Sequence, residues 1–151
     1  MKNKTKIIYL ILIGLILIFI DQLFKFIVVN YLPQDGFFVL NNNFGIASFQ
    51  NLGVAFGLPM PKVIMYIVIF LILYFLLQKF QQELKKMNFI VLFSLMLVIA
   101  GAFSNLIDRV FRGFVVDYIH LFNLSVLNLA DLYIISGIII MIVLEFKKAR
   151  K

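Results

Sequence analysis

Asp117 and Asp131 stand fourteen positions apart in a mostly apolar chain, one in Val115-Val116-Asp117-Tyr118-Ile119 and the other in Leu127-Asn128-Leu129-Ala130-Asp131. Two carboxylates in a partly dry site cannot both ionise cheaply, so they tend to share a proton. Such a pair can hydrolyse an amide: the ionised acid takes a proton from water while its protonated partner donates to the scissile carbonyl oxygen. Acids in apolar sequence also serve proton relays, ion pathways and helix pairing. Both readings stay open on residue type alone.

Other polar residues could serve the same site. Asn51-Leu52-Gly53 puts an amide beside a tight turn, and Asn105-Leu106-Ile107-Asp108-Arg109 gathers an amide, a carboxylate and a guanidinium within five residues. Arg109 offers a fork of donors suited to a peptide backbone or a phosphate. The segment is therefore either a substrate contact or an interfacial anchor in which Asp108 pairs with Arg109. Asp21 and Lys25 are four apart on one helix face, which suits an ion pair in a supporting role. Asp35 falls in a loop and needs no special account.

Composition removes other chemistries. The chain has no cysteine and one histidine, His120, so thiol nucleophiles and the usual zinc ligand sets are absent. Serine-lysine catalysis would need the fold to bring Ser48, Ser104 or Ser125 to a desolvated Lys25. No metal and no cofactor is expected.

These residues must be positioned by membrane helices. Of 151 residues, 64% are hydrophobic and 14% charged, and the mean hydropathy is +1.07; that leaves too little polar surface to cover a soluble globule. Apolar runs predict four spans at about 7–29, 60–77, 88–106 and 126–144, with outer loops at 35–57 and 107–125. The reading is an integral membrane, mainly α protein in one domain. Residues 1–20 have the basic start and apolar run of a cleavable signal peptide, but no small-residue cleavage site follows, and a retained first span is expected.

The net charge of +7 does not point to nucleic acid. Ten of the fourteen Lys and Arg residues lie in three segments, Lys2 to Lys6, Lys79 to Lys86 and Lys147 to Lys151, which flank the apolar runs. Positive charge there marks the cytoplasmic side and meets anionic lipid. Both termini are accordingly expected in the cytoplasm and the acids at the outer face. In the first outer loop, Phe37 to Leu40, a turn at Asn41 to Asn43, Phe44 to Phe49 and Gly53 to Gly57 read as short strands at the headgroup level.

The motifs together resemble one family. Asp21-Gln22-X-X-Lys25, Asn51-X-Gly53-X-Ala55-Phe56, Asn105-X-X-Asp108-Arg109, Val115-Val116-Asp117-Tyr118-Ile119 and Asn128-X-Ala130-Asp131 occur in the order and approximate spacing of the lipoprotein signal peptidases, or signal peptidase II. The resemblance implies a bacterial membrane aspartic endopeptidase that removes the signal peptide of a diacylglyceryl-modified prolipoprotein just before the lipid-bearing cysteine. It implies a four-helix bundle with a small extracytoplasmic β-cradle and a short outer helix, working in the cytoplasmic membrane as a monomer in contact with lipid. Asp117 and Asp131 would be the catalytic dyad. Asn51, Gly53, Asn105, Asp108, Arg109 and Asn128 would bind substrate or support the acids, with a less direct role for Asp21 and Lys25.

Two departures bear on these expectations. The glycine-rich run usual before Asn105 is here Ala100-Gly101-Ala102-Phe103-Ser104, which leaves close helix packing there in question. Leu127 and Leu132 stand where the family often has Phe and Ser, and the missing hydroxyl could alter the bonding of Asp131. The alternative from another class is a non-enzymatic protein, such as a proton-coupled carrier subunit or assembly factor. Such a protein would tend to carry midplane acids and paired repeats, whereas here the acids cluster toward one face and no repeat is visible.

Overall fold

The computed structural model describes residues 2–33, 35–39, 43–53, 60–122 and 125–150. Within them the chain forms α1 (Lys2–Tyr31), β1 (Phe37–Val39), β2 (Phe44–Asn51), α2 (Lys62–Lys86), α3 (Phe89–Phe111), β3 (Val115–Leu121), β4 (Ser125–Leu127) and α4 (Leu129–Ala149). All four helices are long and apolar enough to cross a membrane. Pro33 follows the end of α1 and Pro61 caps the start of α2, in keeping with a residue that cannot continue a helix but is tolerated at its beginning.

Each helix runs further than its apolar core. Residues 78–86, expected as loop, continue α2, and residues 107–111, expected in the outer loop, continue α3. In both places a nucleated helix extends beyond the hydrocarbon-length run, because propagation costs far less than starting a new helix. Helix α4 starts at Leu129 rather than near 126 because residues 125–127 are taken by a strand.

Helix α3 is central: half of its best spanning window is buried, against 17% or less for the others. The lipid-facing sides of α1, α2 and α4 leave Ile, Leu and Phe side chains exposed, as a bilayer solvent allows. Close approach to α3 is made at glycines. A Cβ on Gly101 would lie 2.3 Å from the Ala130 carbonyl oxygen, and one on Gly137 would lie 2.5 Å from the Ser94 oxygen. The tight packing left in question by Ala100 and Ala102 is therefore achieved through Gly101 and Gly137.

The strands form one antiparallel sheet in the order β1-β2-β3-β4. It lies at the end of the bundle where α1 ends and α4 begins, opposite both termini. Phe37 pairs with Ile46, Phe49 with Asp117 and Ile119 with Leu127, and the β2 register shifts between Ile46 and Phe49. The strands expected around 37–40 and 44–49 are thus present, and Asp117 is on a strand. The expected strand at Gly53–Gly57 and the motif residues Ala55 and Phe56 fall mostly in 54–59, outside the described residues, as do Leu40, Asn41 and Asn42. Among the described residues there is no short helix outside the four spans.

Candidate active site

Two elements deliver the acids. Asp117 is the third residue of β3 and Asp131 the third of α4, and both line one cavity of about 1100 Å³ with Asn51, Asn105, Arg109 and His120. Asn128 places Asp131: its side chain accepts the Asp131 N–H at 2.9 Å, and the Asp131 carboxylate accepts the Asn128 N–H at 3.2 Å. This reciprocal capping box fixes the first turn of α4. Asp131 accordingly enters at the helix start, where the positive end of the dipole favours a carboxylate.

Every carboxylate oxygen of the pair accepts an N–H. On Asp117, Oδ1 accepts from Asn128 Nδ2 at 2.6 Å and Oδ2 from Asn51 Nδ2 at 2.9 Å. On Asp131, Oδ1 accepts from Asn105 Nδ2 at 2.9 Å and Oδ2 from the Asn128 backbone. The leucine at position 132 therefore leaves neither oxygen of Asp131 without a donor. Burial pushes the Asp117 carboxyl up to about 6, the Asn51 and Asn128 donors pull it down, and the charge of Asp131 pushes it up again. An acid so placed changes protonation near neutral pH, as hydrolytic proton transfer requires.

Behind the cavity lies a second polar layer. Lys25 is fully buried and its ammonium meets Asp21 at 2.7 Å, Asp108 at 2.8 Å and Asn105 Oδ1 at 2.9 Å. All three of its N–H donors are engaged, so Lys25 is a clamped cation and not an available base, and the Ser104 hydroxyl instead donates to Asp21 at 2.6 Å. Asp21 also accepts the Ala130 N–H at 3.0 Å, tying α1 to the start of α4. The Tyr118 hydroxyl accepts the Leu129 N–H at 3.3 Å. Burial holds that phenol above its usual range and hence neutral.

The expected Asp108–Arg109 pair is not formed. Adjacent residues on a helix project about 100° apart. Asp108 turns to Lys25, to Arg112 one turn on, to Gln22 and to the Val116 N–H. Arg109 turns instead into the cavity, donating to the Gly53 carbonyl at 3.0 Å and the Asn105 carbonyl at 3.4 Å. Its Nε is the one buried side-chain polar atom without a partner among the described residues. Asp35 is exposed.

Sequence reading missed Gln22, Ser104, Arg112 and Tyr118 as members of this layer. The Asp108–Arg112 spacing of four was a visible signal for an intrahelical pair. The reach of Gln22 to Ser104 and of Tyr118 to Leu129 had none, since the first joins two helices 82 positions apart and the second joins a strand to a helix with no shared period.

From Asn105 and Asp131 the cavity continues as an apolar groove along the bundle. Helices α2 and α4 pack on α3 rather than on each other, and the gap is walled by Met65, Ile69 and Ile72 on α2 and by Ile134, Ile138 and Met141 on α4. From Asp131 to Met141 the groove descends about 15 Å at the helical rise.

In this four-span protein one buried acid and one half-buried acid thus lie beneath a small sheet, at the head of an apolar groove. The family model for signal peptidase (SPase) II matches residues 13–147. The chain is 35% identical over 133 residues to a lipoprotein signal peptidase of Caldanaerobacter subterraneus, covering 87% of this chain and 91% of the relative. It is 33% identical over 153 residues to one from Streptococcus pneumoniae, covering 98% and 97%. Two solved structures described as bacterial membrane enzymes are similar, with TM-scores of 0.79 and 0.78 at 29% and 30% identity. They cover 93% and 92% of this chain, and 89% and 93% of their own. The chain belongs to the signal peptidase II family, and it is a multi-pass membrane peptidase.

Proposed function

We propose that this protein cuts the signal peptide from diacylglyceryl-modified prolipoproteins immediately before the lipid-bearing cysteine, using Asp117 and Asp131 to activate water. The observation that carries the reading is the cavity: both acids line it, each held by amide donors, and it leads into a groove walled by aliphatic side chains. An apolar signal helix and acyl chains can enter that groove from the bilayer while the scissile bond reaches the acids.

The ionised member of the pair takes a proton from water as the water oxygen bonds the scissile carbonyl carbon. Its protonated partner gives a proton to the carbonyl oxygen; on collapse the C–N bond breaks as the first acid passes its proton to the leaving cysteine nitrogen and the hydroxyl proton returns to the partner. The protons belong to the pair as a unit. Arg109, with Nε unpartnered, supplies donors to a substrate carbonyl. Asn51, Asn105 and Asn128 orient the acids, Gly53 anchors Asn51 and Arg109, and Asp21, Lys25 and Asp108 hold the layer behind them.

The lysines at the helix ends support a topology with both termini in the cytoplasm and with the sheet and acids outward, where a translocated precursor presents its cleavage site. The enzyme acts as a monomer surrounded by lipid. Purified protein in micelles should cleave a lipidated precursor peptide, and Asp117→Asn and Asp131→Asn should each lower the rate by about 10³-fold or more while the protein stays folded. Wild-type activity in either variant would overturn the dyad.

A further inference from the structure

Asn105 faces opposite chemistries on its two amide atoms. Its Oδ1 lies 2.9 Å from the Lys25 ammonium and 3.2 Å from Asn128 Nδ2, while its Nδ2 lies 2.9 Å from Asp131 Oδ1. An ammonium can only donate and an ionised carboxylate can only accept. Turning the amide over would set NH₂ against the ammonium and against a second NH₂, and oxygen against the carboxylate. The buried cation therefore fixes which end of Asn105 is shown to Asp131.

We infer that Lys25 is a positioning residue for the dyad: by locking the side-chain amide of Asn105 it guarantees Asp131 an N–H donor and keeps the cavity lone pairs of that acid free for water. This rests on the dyad reading above. Without the ammonium only the longer bond from Asn128 Nδ2, at 3.2 Å, holds the Asn105 oxygen, and rotamers that present oxygen to Asp131 become more accessible. Those rotamers disfavour the ionised acid. The other two asparagines carry their own locks, since Asn51 Oδ1 accepts the Gly53 N–H at 3.0 Å and Asn128 Oδ1 accepts the Asp131 N–H. Both of those are backbone donors. Only the amide serving Asp131 is held by a side chain, which makes that lock removable by substitution.

The charged and titratable groups around Lys25 are Asp21 on α1, Asp108 on α3 with Arg112 behind it, and, beyond the amides, Asp117 on β3 and Asp131 on α4. Lys25→Met alone strands two buried carboxylates and endangers the fold. The paired variant Lys25→Met/Asp21→Asn removes one charge of each sign, leaves Asp108 with Arg112, and is the form to test.

The test measures kcat and KM for a lipidated precursor peptide across pH 5–9 in micelles, with thermal unfolding as the check on folding. For the paired variant we expect a kcat about 10-fold to 100-fold lower, KM within about threefold, and an acidic limb moved to higher pH. Asn105→Ala should reproduce these changes, and adding it to the paired variant should change kcat and the limb little further, because both act through one amide. A folded paired variant with wild-type kcat, an unmoved acidic limb, or a limb shift that adds in full to that of Asn105→Ala would each overturn the inference. Asp131→Asn, run alongside, separates the two failures. Activity retained there sinks the dyad itself, whereas activity lost there with an unmoved limb in the paired variant sinks only the role of Lys25. If the paired variant does not fold, Lys25→Arg serves: a guanidinium keeps the lock and should hold the limb in place, and a displaced limb in that folded variant counts against the inference.

Discussion

Asn128 donates its side-chain amide to Asp117 at 2.6 Å while the oxygen of the same amide caps the helix that carries Asp131 at 2.9 Å. One residue thus sets both acids, on a strand and on a helix, through the two ends of a single amide.

That coupling can be separated by substitution. Asn128→Ser keeps a capping oxygen but has no N–H able to reach Asp117. Unfolding stability should stay within about 0.5 kcal/mol, while kcat falls about 100-fold. Asn128→Ala should lose similar activity and a further 1 kcal/mol or so of stability. Thermal unfolding and peptide cleavage on the same preparations would separate the two effects.

Asp117 gives a pH-dependent stability with a defined sign. Its folded value of about 6 lies above the ordinary 3.8, so the folded state holds the proton more tightly than the unfolded chain. The contribution is fully present below about pH 4 and is lost as pH rises through about 6. At pH 8 the ionised acid opposes folding by up to about 3 kcal/mol. Asp117→Asn should therefore raise the unfolding temperature at pH 8 and leave it little changed at pH 4. An inactive variant more stable than the wild type would be a direct measure of what the site costs the fold.

Gly101 and Gly137 should differ in what their loss damages. A Cβ on either meets a backbone carbonyl at 2.3 Å or 2.5 Å, so Gly101→Ala and Gly137→Ala should each destabilise by about 2–3 kcal/mol. The Gly101 contact is with Ala130, next to Asp131, whereas Gly137 lies six residues deeper. Activity per folded molecule should fall at least tenfold for Gly101→Ala and by less than threefold for Gly137→Ala. Equal losses would place the sensitivity elsewhere than in the seating of Asp131.

Chelators should leave cleavage unchanged. Among the described residues no cluster of His, Cys, Asp or Glu has the geometry to hold a metal ion. The acids are held by N–H donors from asparagines, which suits carboxylates that hold protons and water. Inhibition by EDTA that zinc reverses would refute an unassisted aspartate mechanism.

The spans, the strands around Phe37 and Phe44 and the polar motifs were legible because each is written in local pattern: apolar runs, Gly and Asn turns, and i,i+4 pairs. What was illegible was direction. Asp108 was expected to turn to its neighbour Arg109, but the helix sends the two apart, and only the fold could reveal Lys25 and the Val116 N–H as its partners. Lys25 reads in sequence as one half of a pair with Asp21. Its contacts with Asp108 and Asn105, 80 or more residues away, are tertiary and leave no periodic trace. The groove is likewise a product of α2 and α4 both choosing α3, a packing choice invisible in either helix alone.

The bond from Asp21 to the Ala130 N–H joins positions 109 apart, and it bears on how the protein is made. Synthesis runs from α1 to α4, so the ribosome delivers the final helix to a receptacle whose acceptors on α1 and β3 already exist. Until residue 131 arrives there is one acid and no pair. On the proposed dyad, a nascent chain would stay catalytically silent until α4 docks against α1 and β3.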